Sequence, residues 1–147
     1  MVIQSDIEAA DRLTQRRARM LPTMAVIFIA QQGIYFTTKT EDLTRPVDQL
    51  RIAGWLLMSI VLLLALTTDG FWFKPKRVRE LMDDEPTRAN RADALRVGFL
   101  ATMVGAIGLF FLSFFDPLEA RETIHLLMAI GIGVALIRFG WLERRAL

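Results

Sequence analysis

Few side chains in this chain carry chemistry, and they are spread thinly. His125 is the only histidine and there is no cysteine. A lone imidazole cannot supply a bis-His haem or a metal site by itself. Its readings are a hydrogen-bonded side chain or a pH sensor. Asp69 and Arg138 are ionisable residues at the edges of apolar runs, and such residues are functional candidates by default. Proton or cation coupling is one reading of Asp69. An ion pair with Arg138 or Arg96 is the blander and preferred one. Gln31 and Gln32 lie inside an apolar run, where amides ordinarily hydrogen-bond between helices.

No spacing points to catalysis. The chain has no G-x-S-x-G, no H-E-x-x-H and no G-x-x-x-x-G-K-[ST]. Gly131-Ile132-Gly133 lies in an apolar run with no strand before it, so it is not a dinucleotide fingerprint. The absence of cysteine excludes thiolate-ligated zinc, iron–sulfur clusters and c-type haem attachment. The expectation is a protein with no enzymatic activity and no cofactor.

A different pattern concerns packing. Ala94, Gly98, Ala101, Gly105 and Gly108 are spaced four, three, four and three apart, a seam of small residues on one helix face. Ala129 and Gly133 add a small-xxx-small step. In lipid, small residues let backbones approach closely. The seam fits either packing within the chain or a homo-oligomer interface, with a dimer as the favoured assembly.

These residues sit on elements that the hydropathy pattern defines. The 147 residues are 53% hydrophobic and 23% charged, with a mean hydropathy of +0.36. The two facts are compatible only if charge and apolarity are segregated. Residues 21–37, 52–68 and 97–115 contain no acidic or basic residue, and 123–137 holds only His125. None carries the polar stripe of a helix in a soluble bundle. A bilayer core of ~30 Å takes about 20 helical residues. The predicted spans are therefore 21–37, 52–73, 95–115 and 123–142, the second running through Asp69 into Phe71-Trp72-Phe73. The expected fold is an all-α integral membrane protein: a four-transmembrane-helix bundle of two antiparallel hairpins in a single membrane domain.

Charge predicts the orientation. Arg12, Arg16, Arg17 and Arg19 precede the first span, seven basic residues occupy 74–96, and Arg138, Arg144 and Arg145 close the chain. The other side has only Lys39, Arg45, Arg51 and Arg121. Fourteen basic residues against ten acidic ones give one face +4; four against six give the other −2. The positive-inside rule puts both termini and residues 74–94 in the cytoplasm. Asp6, Glu8 and Asp11 argue against a cleavable signal or a mitochondrial presequence. A bacterial cytoplasmic (inner) membrane is the default location. The overall +2 gives no basis for direct nucleic-acid binding.

Local signals predict the helix ends. Ser5 and Glu8 fit a capping box opening a cytoplasmic helix over residues 1–20, with Pro22 kinking its junction with the first span. Thr44 and Pro46 mark the start of the second span. Asp116, Pro117 and Glu119 fit the N-cap, N1 and N3 positions of the fourth.

Most of the soluble mass then lies on the cytoplasmic side. Arg16, Arg17, Arg19, Lys76 and Arg77 can lie on anionic lipid and are also candidates for binding a partner. Asp83, Asp84 and Glu85 beside Arg88 and Arg91 form a mixed-sign patch beyond what topology needs, suited to a cytosolic protein partner. The leading expectation is a non-catalytic membrane regulator or scaffold that binds such a partner, a transcription regulator being one form. The alternatives are an accessory subunit of a larger membrane complex and a small dimeric transporter. The layout is similar to that of the small multidrug transporters, but those proteins carry a membrane-embedded glutamate in their first span, and the first span here has no acid, only Gln31 and Gln32.

Overall fold

The computed structural model describes residues 2–37, 45–68 and 85–146. They form four helices: α1 (Val2–Thr37), α2 (Pro46–Thr67), α3 (Glu85–Leu112) and α4 (Ala120–Arg145). Among the described residues there is no strand. Three helices, α2, α3 and α4, are long and apolar enough to cross a membrane. At 1.5 Å per residue even the shortest, α2, spans about 33 Å.

The core supports a lipid setting. Buried apolar side chains are few and come from all four helices: Leu21, Ala25 and Phe28 of α1, Leu62 and Leu66 of α2, Ala94 of α3, and Ile132, Ala135, Leu136 and Phe139 of α4. By contrast, Val26, Leu57, Val104, Phe110 and Phe114 are all at least half exposed, and Phe115 is 89% exposed. A water-soluble monomer rarely shows contiguous apolar surface on that scale.

α4 is the central helix, in contact with each of the others. Its pairing with α3 is antiparallel: Gly98 faces Gly131 and Ala135, and Gly105 faces Leu127 and Ile130. Its pairing with α1 is also antiparallel, since Gly140 meets Leu21 and Pro22 while Gly133 meets Ile29. The start of α1, the start of α3 and the end of α4 therefore share one end of the bundle. α1 contributes a narrow stripe to this packing: Ala18, Leu21, Ala25, Phe28 and Gln32 are all buried, at the three-and-four spacing of a helix seam.

Helix ends depart from the expected caps. α1 begins at Val2, so Ser5 lies inside the helix and is no N-cap. α1 also runs through Pro22 as one helix. Pro46 opens α2 with Arg45 as N-cap and no side-chain cap bond; Thr44 lies outside the described residues. α2 ends at Thr67, and Thr68 is extended with its hydroxyl donating to Leu64 O at 2.6 Å. α4 starts at Ala120 with Glu119 as N-cap, where Asp116 and Pro117 were expected. The Asp116 N–H still belongs to the turn that ends α3, donating to Leu112 O at 3.0 Å, whereas the first carbonyl of α4 is that of Glu119, which accepts from Thr123 N–H at 3.0 Å.

Candidate functional site

At the arginine-rich end, a polar layer joins three helices. Arg138 Nε donates to Asp93 Oδ2 at 2.7 Å. The carboxylate that meets Arg138 is thus on α3, a little over one turn before Gly98; Asp69, the expected partner, lies outside the described residues. Arg96, the other cation expected to pair with Asp69, is exposed. Asn90 Nδ2 donates to Glu143 Oε1 at 3.2 Å, and Glu143 is only 3% exposed. A buried carboxylate requires such donors, because an uncompensated one is costly. Arg145 and Arg138 both lie over the Trp141 ring, 3.7 Å and 4.9 Å from its centroid, within cation–π range.

The same end binds α1. Arg144 Nε donates to Ala18 O at 3.2 Å. Beyond Ala18, α1 continues to Val2 while α4 stops at Arg145. Residues 2–17 therefore run past the end of α4 for about 24 Å of helix. This extension exposes Arg12, paired with Glu8 at 3.3 Å, as well as Arg16; Arg19 is exposed beside it. Glu85 and Arg88 are exposed at the start of α3, and Arg91 is half-buried. Of the expected partner-binding candidates, Arg16, Arg19, Glu85, Arg88 and Arg91 are thus the ones that can be placed. Lys76, Arg77, Asp83 and Asp84 lie outside the described residues, as does the side chain of Arg17.

The small-residue seam is filled largely within the chain. Ala94 is fully buried, and Ala101 is half-buried. A Cβ on Gly98 would lie 2.8 Å from both Ala135 Cβ and Gly131 O, and one on Gly105 would lie 2.9 Å from Ile130 Cδ1. Gly108 has nothing near it among the described residues. Ala129 is half-buried, and Gly133 is buried against Ile29.

The opposite end holds an aromatic pair. His125 of α4 stacks on Trp55 of α2, ring centroids 4.1 Å apart and planes 20° apart. The imidazole is 3% exposed. A cavity of about 330 Å3 adjoins the pair, lined by Ile52, Trp55, Arg121, Ile124 and His125. Gln32 was expected to bond between helices; its Nε2 instead reaches back one turn to Phe28 O at 3.2 Å. Gln31 Oε1, Gln32 Oε1, Trp55 Nε1 and Ser59 Oγ are buried with no hydrogen-bond partner among the described residues. Among those residues, no three of His, Asp and Glu come together in a way that could hold a metal ion.

Sequence reasoning missed Trp55, Asn90, Asp93 and Glu143. The last three were discoverable: Arg138 lies 45 residues after Asp93 and Glu143 lies 53 after Asn90. Both midpoints fall at Asp116 within a residue, the pivot the hairpin already implied. In comparisons with known proteins, no family model, no curated protein and no solved structure matches the chain.

Proposed function

We propose that this is a four-span protein of a bacterial cytoplasmic membrane, with both termini and residues 74–94 in the cytoplasm. It acts without catalysis, as a regulator or scaffold that holds a cytosolic protein, a transcription regulator being one form. The first span is the charge-free half of α1 from Leu21 to Thr37, anchored to α4 by its buried stripe.

The observation that supports this most is the length of α1 against α4. A membrane anchor needs no helix beyond the bilayer, yet residues 2–17 extend about 24 Å past the end of α4. The extension is one continuous helix with a packed span. It displays Arg12 and Arg16, with Arg19 at its base, at the same end of the bundle as the exposed Glu85 and Arg88 of α3. Charges of both signs on a rigid element fit recognition of a complementary protein surface.

Purification of the full chain from native membranes tests this reading. A cytosolic protein should co-purify in near-stoichiometric amount and be lost from an Arg16→Glu/Arg19→Glu variant that still inserts. Isolation with no such protein, or equal recovery from the variant, would count against it. Homo-oligomerisation is a separate proposal. With Gly98 and Gly105 occupied by α4, a second copy would meet the Gly108 end of the seam and the exposed phenylalanines beside it.

A further inference from the structure

The cavity between α2 and α4 has a chemistry unrelated to a cytosolic partner. It lies at the end of the bundle away from the arginine cluster, beside the first turn of α4. Its inner part is the Trp55–His125 stack. Its sides are Ile52 and Ile124, and Ile124 is 57% exposed, so the cavity opens through the flank of the bundle. Arg121 is exposed at its edge. At about 330 Å3 it is at the lower end of the range for small-molecule sites.

The cation at this opening, Arg121, has no carboxylate held against it among the described residues, whereas neighbouring Arg51 is held by Asp48 at 3.7 Å. The occupant must therefore satisfy two demands: apolar bulk against isoleucine and indole, and a negative group at the guanidinium. In a spanning helix, the first turn lies where headgroups are. A guanidinium at that depth attracts an anionic headgroup by direct Coulomb interaction, and Arg holds phosphate through paired N–H donors.

We propose that this cavity binds an anionic phospholipid from the bilayer, its phosphate at Arg121 and the start of an acyl chain between Ile52, Ile124 and the Trp55 ring. The inference requires α2 and α4 to be in a membrane but is indifferent to which side the cavity faces.

Trp55 reports occupancy directly. The chain has three tryptophans, so a full-length Trp72→Phe/Trp141→Phe variant leaves Trp55 as the sole emitter. It is reconstituted in phosphatidylcholine vesicles with increasing fractions of either dibrominated phosphatidylglycerol or dibrominated phosphatidylcholine, whose bromines quench indole on contact. Half-quenching should come at about fivefold lower mole fraction of the anionic lipid, the effect of one basic residue beside an anionic surface. Arg121→Gln should abolish the difference, while Arg121→Lys and Arg51→Gln should keep it. Identical curves for the two lipids, or a preference that survives Arg121→Gln, would overturn the proposal. Arg121 is exposed, so its replacement leaves the packing of the bundle intact.

Discussion

Arg144 of α4 donates to the Ala18 carbonyl of α1, 3.2 Å from its Nε. That carbonyl is the one Pro22 leaves without its helical donor, because proline has no N–H to return to position i−4. One turn back along α4, Gly140 faces the proline ring: a Cβ there would lie 2.9 Å from Pro22 Cγ. The proline that should break α1 is thus accommodated twice by α4, by a donor for the freed carbonyl and by room for the ring. Both contacts sit where α1 leaves the bundle.

This joint predicts a coupling. Arg144→Ala should lower stability by about 1 kcal/mol, the scale of one net hydrogen bond. In a Pro22→Ala background the restored backbone N–H at position 22 reaches Ala18 O, and the loss should largely vanish. Thermal unfolding of the four proteins of this double-mutant cycle in detergent measures it. Additive effects would show that Arg144 does not serve the freed carbonyl.

The seam predicts opposite outcomes at two glycines of one helix. Gly98→Val meets Ala135 and the Gly131 backbone, which cannot yield as a flexible side chain would. It should cost about 1–3 kcal/mol by forcing α3 and α4 apart. Gly108→Ala meets nothing within 4 Å and should be neutral or stabilising by up to about 1 kcal/mol. Unfolding midpoints of the two variants check the contrast; equal losses would mean that Gly108 is also packed, as in an oligomer.

The Asp93–Arg138 pair predicts a modest, specific loss. The Asp93 and Arg138 side chains are 40% and 35% exposed, so solvent screens the pair and Asp93→Asn should cost about 1 kcal/mol or less. The exchange Asp93→Arg with Arg138→Asp should recover much of that loss. Melting curves at low and high salt would show the wild-type advantage shrinking as salt rises.

The helices were far more legible in the sequence than their contacts. Hydropathy alone located the apolar helices but not their ends: α2 stops at Thr67 where the span was expected to run on to Phe73, and α3 begins at Glu85, ten residues before the expected 95. The small-residue seam was visible, but its partner was not, because a spacing pattern cannot say whether the facing helix belongs to the same chain. The caps were least legible. Asp116-Pro117 has the composition of a helix start, yet the first carbonyl to accept within α4 is that of Glu119, three residues on, and a side-chain signature cannot show at which residue the backbone turns helical. Gln32 likewise resolves locally on Phe28 O where an interhelical bond was expected. The Trp55–His125 stack joins residues 70 positions apart on helices whose relative rotation no periodicity fixes. The stripe from Ala18 to Gln32 was readable, but the mix of alanine, phenylalanine and glutamine hides it from a search for small residues alone.

The proposed function requires the arginine-rich end to face the cytoplasm with both chain termini. The absence of native cysteine allows this to be read with single introduced thiols and a membrane-impermeant maleimide. Glu8→Cys, Arg88→Cys and Arg145→Cys should be labelled only after the membrane is opened, while Asp48→Cys and Glu119→Cys should be labelled on intact cells. Labelling of Glu8→Cys or Arg145→Cys on intact cells, or protection of Asp48→Cys together with them, would contradict it.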